Sequence, residues 1–307
     1  MRLVSYRELP GSGTRLGAAL DGEEVVDLRT ALAAALAAAG EPDRSAEEIP
    51  SDMAAFLALG EESLVAAARA LAFAAAPGRD SLRRPIAGVE LLAPVPRPGK
   101  IVGVGRNYGE HAREVGGPKQ DAPRVFLKPA SSVAPPGCAV RVPASVLKPD
   151  WEVELAVVIG RAARDVPEAR ALEHVAGYTV LDDVSAREFQ FDISPPQTSF
   201  AKGMDGFCPM GPWIATPEEV GEPWALGVRC WLNGEPVQDG NTRDMIFPVP
   251  SLISYLSRFM TLEPGDVIAT GTPAGVGAFR DPPRWLRPGD RLRMEVERVG
   301  VLEHSIA

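Results

Sequence analysis

The spacing of apolar positions changes character near residue 100. Before it, short alternating runs at 3–6 and 24–28 read as strands, with Asp21-Gly22 as a turn between them. The Ala/Leu-rich stretches 29–39 and 51–75 repeat at helical spacing. Segment 76–99 is rich in Pro, Arg and Gly and contains Ala93-Pro94-Val95-Pro96-Arg97-Pro98-Gly99. Proline removes a backbone donor and blocks helix, so this segment reads as a linker. From residue 100 onward strand-like runs dominate, at 101–104, 152–159, 177–181, 228–232, 267–270 and 292–296. Glu263-Pro264-Gly265-Asp266 and Arg287-Pro288-Gly289-Asp290 place Pro and then Gly where a type II turn needs them, each just before a strand. Helices are expected near 167–174 and 250–258. The pattern predicts an α+β, mostly β protein. A small N-terminal α+β domain spans 1–75, a linker 76–99 and a larger, mostly-β domain 100–307.

Composition narrows the function classes. With 307 residues, 45% hydrophobic and 24% charged, the chain is long enough for a substantial core. Its net charge of −9 and lack of a Lys/Arg run argue against nucleic acid, whose phosphates demand clustered positive charge. The three cysteines, Cys138, Cys208 and Cys230, form no CxxC, which suits a reducing, cytoplasmic setting. No apolar run is long enough to span a bilayer, and the N-terminus meets charged residues at once, unlike a signal peptide. No GxSxG elbow or Walker loop is present, and Gly103-Val104-Gly105-Arg106-Asn107-Tyr108-Gly109 misses the dinucleotide fingerprint by one residue.

A multi-histidine metal site would need all three histidines, His111, His174 and His304, from distant places. Carboxylates are the better ligands. Glu152-Val153-Glu154 opens a core strand, and residues two apart on a strand share a face. Two such glutamates repel unless a cation lies between them; the alternative is an exposed pair at a strand start. Asp182-Asp183 ends a second strand and offers a third carboxylate, or else a helix cap. An all-oxygen set favours a hard ion, Mg²⁺ or Mn²⁺. His111 and Glu114 share a face if their segment is helical, as a general base with its orienting carboxylate or as a solvated pair. Glycines around them suit a mobile lid over 109–123. Lys202, among small and apolar residues, is a buried cation or one that reaches solvent. The loop Gly271-Thr272-Pro273-Ala274-Gly275-Val276-Gly277 either cradles a carboxylate with its N–H groups or is a plain Gly-rich loop.

Taken in order, these segments resemble the fumarylacetoacetate hydrolase family over residues 100–307. They are joined by Phe126-Leu127-Lys128-Pro129, Asp183-Val184-Ser185-Ala186-Arg187, Cys208-Pro209, Asn233-Gly234-Glu235 and Met245-Ile246-Phe247. The resemblance implies a rolled, mixed β-sheet catalytic domain, a homodimer and a small 2-oxo acid as substrate. It implies Glu152, Glu154 and Asp183 as ligands of Mg²⁺ or Mn²⁺, with Asp182 the non-ligand neighbour. Arg106, Arg187, Gln190 and Thr272 match substrate-binding positions, Lys202 the lysine beside the metal, and His111 with Glu114 the lid pair that activates water. The reaction it suggests first is hydrolysis of a C–C bond in a 2,4-dioxo acid of acylpyruvate type, through a metal-bound enolate. Decarboxylation or isomerisation of a 2-oxo or hydroxydienoic diacid, dehydration or lysis of a sugar-acid derivative, and a non-catalytic binding role on the same fold are the alternatives. The chain departs from the family pattern at Ser194-Pro195-Pro196-Gln197-Thr198-Ser199-Phe200-Ala201, before the lysine. That leaves the wall for the substrate's distal group unassigned.

Overall fold

The computed structural model describes residues 1–41, 49–116 and 120–307. The described residues form a twelve-stranded mixed sheet. Its main path takes Arg83–Pro85, Glu24–Asp27, Arg15–Leu20, Arg2–Arg7, Cys208–Ala215, Val175–Asp182, Val153–Ile159, Val267–Ala269, Ile101–Gly105 and Arg124–Lys128 in that spatial order. A second sheet of five strands carries Glu235–Asn241, Gly227–Leu232, Arg291–Val296, Gly300–Ile306 and Ala139–Val140. Between the two lies the main core, where Val153, Leu155 and Val157 meet Val228, Met294 and Leu302. Strand Val153–Ile159 is buried on both faces, which explains the apolar run Leu155–Ile159 that follows Glu154.

The N-terminal unit continues this sheet. Arg2 and Leu3 pair with Ala215 and Ile214, and Leu3, Leu32 and Phe56 share a core with Val158 and Ile214. Segment 76–99 is not free chain. Arg83–Pro85 pairs with Glu24–Asp27, and Glu90–Leu91 pairs with Arg2–Arg7.

Two local expectations need correction. The Asp21-Gly22 turn joins Glu24–Asp27 not to the first strand but to an intervening one, Arg15–Leu20. That strand has no β-branched residue to announce it, and its Gly17 is required by close approach: a Cβ there would lie 2.9 Å from the Val26 carbonyl. The helical stretch 51–75 is two helices, Met53–Ala58 and Glu61–Ala75, broken at Gly60 with φ 71°. The β runs and both later helices fall where the periodicity places them. Strands Arg124–Lys128, Cys208–Ala215, Glu235–Asn241 and Gly300–Ile306 add to them. Both Pro-Gly turns close as expected, Asp266 N to Glu263 O at 2.9 Å and Asp290 N to Arg287 O at 3.0 Å. Among the described residues no helix is long and apolar enough to cross a membrane, and all three cysteines are free.

Gly265 ties the first turn to the N-terminal unit. It has φ 85°, and an added Cβ would lie 2.6 Å from Ala54 Cβ. Gly265→Ala should cost about 1–3 kcal/mol, the usual range for a non-glycine residue forced into this region. A lower urea midpoint with an unchanged slope is the expected readout.

Candidate metal centre and substrate cleft

The register of two antiparallel strands assembles the acidic cluster. Val153 pairs with Asp182, so Glu152 and Asp183 meet just beyond the pairing, where Asp183 N donates to Glu152 O at 3.0 Å. Glu154 projects to the same face as Glu152. One carboxylate oxygen from each of Glu152, Glu154 and Asp183 lies within 4.8 Å of the others, and all three residues are buried. Asp182 stays outside the cluster. It accepts from Glu152 N at 2.9 Å and lies 2.8 Å from His304 Nε2.

Buried cations reach two of the three carboxylates. Lys202, at the end of the short helix Thr198–Lys202, donates to Glu152 at 2.8 Å, Asp183 at 2.7 Å and the Ser185 hydroxyl at 2.7 Å. Lys128 donates to Asp183 Oδ1 at 2.7 Å, to Phe207 O at 2.9 Å and to Lys202 O. Arg187 meets Glu152 at 2.7 Å, Asp150 at 2.8 Å and Gln190 at 2.8 Å. Among the described residues no cation pairs with Glu154, which accepts the Gly271 N–H at 2.8 Å. Burial, then the charges of Asp183 and Glu152, push Glu154 well above the ordinary carboxylate range. Burial also opposes charge on Glu152, but Lys202 and Arg187 outweigh it and hold that pKa down to about 2. On Lys202 the burial penalty is overcome by Asp183 and Glu152, which raise its pKa. The acidic triad is therefore one positive charge centre short at Glu154, and its all-oxygen donors fit a hard divalent ion.

A narrow cleft opens onto Glu152, Glu154, Lys202 and His111. His111 lies on the helix Gly109–Val115, 4% exposed, with Nδ1 3.1 Å from Glu114 Oε2. The other Glu114 oxygen accepts the Gly275 N–H at 3.0 Å, so one side chain orients the imidazole and ties the helix to the glycine loop. The lid segment proposed over 109–123 thus begins as a docked helix; its Gly117, Pro118 and Lys119 lie outside the described residues. Arg106, Arg187, Gln190 and Thr272 all line the cleft. The Thr272 hydroxyl, however, donates to Val153 O at 2.9 Å and accepts from Gln238 at 2.8 Å, so it is already engaged.

Four supporting residues were not assigned a role from sequence: Lys128, Asp150, Gln238 and Asn107. Asp150 accepts from Arg187 and from the N–H groups of Gly277 and Ala278 at 2.7 and 2.9 Å. Asn107 bonds Thr270 O at 2.7 Å and Phe247 at both its N–H and its carbonyl, fixing the loop that carries His111. Asn107 and Lys128 stand within quoted motifs, but their burial is a tertiary fact.

Residues 100–307 match the profile described as fumarylacetoacetate (FAA) hydrolase C-terminal. The chain belongs to the fumarylacetoacetate hydrolase family. It is 42% identical over 307 residues to the mitochondrial oxaloacetate tautomerase FAHD2A of Homo sapiens, covering 100% of this chain and 91% of that protein. The fumarylacetoacetate hydrolase of Exiguobacterium antarcticum superposes with a TM-score of 0.79 at 31% identity, covering 100% and 99% of the two chains. A maleylpyruvate hydrolase from Sphingobium sp. SYK-6, solved with manganese(II) and pyruvate, gives 0.76 at 32% identity with the same coverage. Members of this family are thus hydrolases and tautomerases, on the mixed, mostly-sheet fold seen here.

Because the Glu154 carboxyl is pushed above the ordinary carboxylate range, a cation binding to the triad competes there with a proton. Mg²⁺ binding should therefore release protons, and its affinity should rise with pH until Glu154 is ionised. Calorimetry in buffers of different ionisation enthalpy reads the release directly, and Glu154→Gln should abolish it.

Proposed function

We propose that this chain is a Mg²⁺- or Mn²⁺-dependent enzyme that interconverts keto and enol forms at C2–C3 of a small 2-oxo acid. The observation carrying this reading is that His111, oriented by Glu114, lines the same cleft as Glu152 and Glu154 of the acidic triad. Held by Glu152, Glu154 and Asp183, the ion would supply Lewis-acid stabilisation of negative charge on the 2-oxo oxygen. His111 takes the proton from C3 at Nε2, since Nδ1 is engaged by Glu114. The C3–H electron pair becomes the C2–C3 double bond, and the carbonyl pair moves onto the 2-oxo oxygen. The buried Lys202 ammonium adds positive charge beside the triad, and the imidazolium of His111 then gives its proton to the 2-oxo oxygen, which completes the enol; ketonisation runs the same transfers in reverse. Arg187 and Gln190 receive the acid's own carboxylate. Glu114 is a positioning residue that sets the imidazole's tautomer and orientation.

Tautomerisation comes first because relatives carrying that name match the whole chain at 38–42% identity. C–C hydrolysis of a 2,4-dioxo acid is the second reading, supported by the maleylpyruvate hydrolase likeness at 32% identity. In that case the same imidazole would activate water for attack on the distal carbonyl, and the bond to C3 would break in place of C3–H.

A panel of oxaloacetate and acylpyruvates, with product analysis and Mg²⁺ present, decides between them. Accelerated ketonisation of enol-oxaloacetate with acylpyruvates untouched is the expected result; acylpyruvate cleavage to pyruvate and an acid would favour the second reading. His111→Ala should keep metal affinity and lose roughly 10²–10⁴-fold in turnover, the usual contribution of a general base. A near-native rate on the best substrate would remove His111 from the mechanism.

A further inference from the structure

Two guanidinium groups of the cleft, those of Arg106 and Arg124, have no carboxylate partner among the described residues. Gly105 and Arg124 are paired across the strands Ile101–Gly105 and Arg124–Lys128, so Arg106 and Arg124 leave this hairpin at the same end. The Arg124 stem crosses the empty face of Gly105, where a Cβ would lie 3.8 Å from Arg124 Cδ. Arg106 has φ 58°, a left-handed conformation unusual for a residue with a side chain, and Gln120 holds its carbonyl at 2.8 Å. Burial and the charge of Arg124 both push the Arg106 pKa down, as expected for two cations brought together without an anion.

The inner cations of the site are committed: Lys202 and Arg187 have carboxylate partners, and the one Arg187 nitrogen without a partner, Nη2, serves the acid's own carboxylate in the reading above. The outer two are not, and Arg124 is exposed while Arg106 is only half-buried. An anionic group at the far end of the substrate would meet two planar donor forks there. We propose that Arg106 and Arg124 receive the distal carboxylate of the substrate, and that Arg124 is the residue by which this chain prefers a 2-oxo diacid to a 2-oxo monoacid. This assignment rests on the reading of the inner cleft as a 2-oxo acid site. It differs from a general positive field at the mouth, which would draw both kinds of acid alike.

The test uses oxaloacetate and 2-oxobutyrate, which share four carbons and differ by a terminal carboxylate against a methyl group. Their affinities are measured by titration of full-length, Mg²⁺-loaded protein, native and Arg124→Gln, with freshly prepared oxaloacetate. Arg124 is exposed and its backbone pairs within a hairpin, so the substitution should leave the thermal midpoint unchanged. The native protein should bind the diacid more tightly. Arg124→Gln should weaken diacid binding by about tenfold or more, the effect expected for a hydrogen bond to a charged group, and monoacid binding by less than twofold. Arg124→Lys should restore part of the difference. An equal loss for both acids, or no loss for the diacid, overturns the assignment. If neither acid binds the native Mg²⁺-loaded protein, the 2-oxo acid reading itself falls and this assignment falls with it.

Discussion

Like-charge repulsion among Glu152, Glu154 and Asp183, whose oxygens lie within 4.8 Å of one another, is the constraint around which the rest of the site is arranged. At a separation near 4 Å and an effective dielectric near 20, each such pair costs about 4 kcal/mol. Lys202, Lys128 and Arg187 offset this for Glu152 and Asp183. Glu154 has no such partner among the described residues, so burial and the charges of Asp183 and Glu152 hold its carboxyl well above the ordinary range. A divalent ion, as proposed above, would satisfy all three at once. Its affinity for the site would then be set by the folded register of two strands rather than by any one residue.

That register is protected from several directions. Asp182 fixes the Glu152 backbone and is itself held by His304 from the last strand. Gln238 accepts from Val153 N at 3.1 Å and reaches Thr272 and the Pro273 carbonyl, joining the five-stranded sheet to the glycine loop. The loop in turn supplies N–H groups to Glu154, Glu114 and Asp150. Its glycines are needed for closeness as much as for turning. A Cβ at Gly275 would lie 2.2 Å from the Val237 carbonyl, and one at Gly277 2.0 Å from the Arg284 carbonyl. The acidic triad, His111 with Glu114, and Arg187 with Asp150 thus share one polar network, and displacement of the loop should disturb all three.

Much of this was legible in the chain. Glu152-Val153-Glu154 declared two carboxylates on one strand face, and the Asp183-Val184-Ser185-Ala186-Arg187 run distinguished Asp183 from Asp182 through the family likeness. Long β-branched runs and the Pro-Gly turns placed most strands of the larger domain. What stayed hidden depends on distant partners. Arg15–Leu20 is a strand because its neighbours make it one, since its residues have little β preference of their own. Segment 76–99 looked like linker because proline dominates it, yet its short strands seal the edge of the N-terminal sheet. Lys128 offers no local sign that its ammonium is buried against Asp183, and Thr272 none that its hydroxyl is already engaged.

Proton exchange at C3 of pyruvate tests the central claim most directly, because enolisation is common to both proposed reactions and needs no knowledge of the natural substrate. In D₂O with Mg²⁺, the protein should speed loss of the pyruvate methyl signal in proton NMR. The acceleration should vanish when the metal is chelated and in Glu154→Gln. Exchange at the uncatalysed rate, with pyruvate shown to be bound to the metal-loaded protein, would contradict the account.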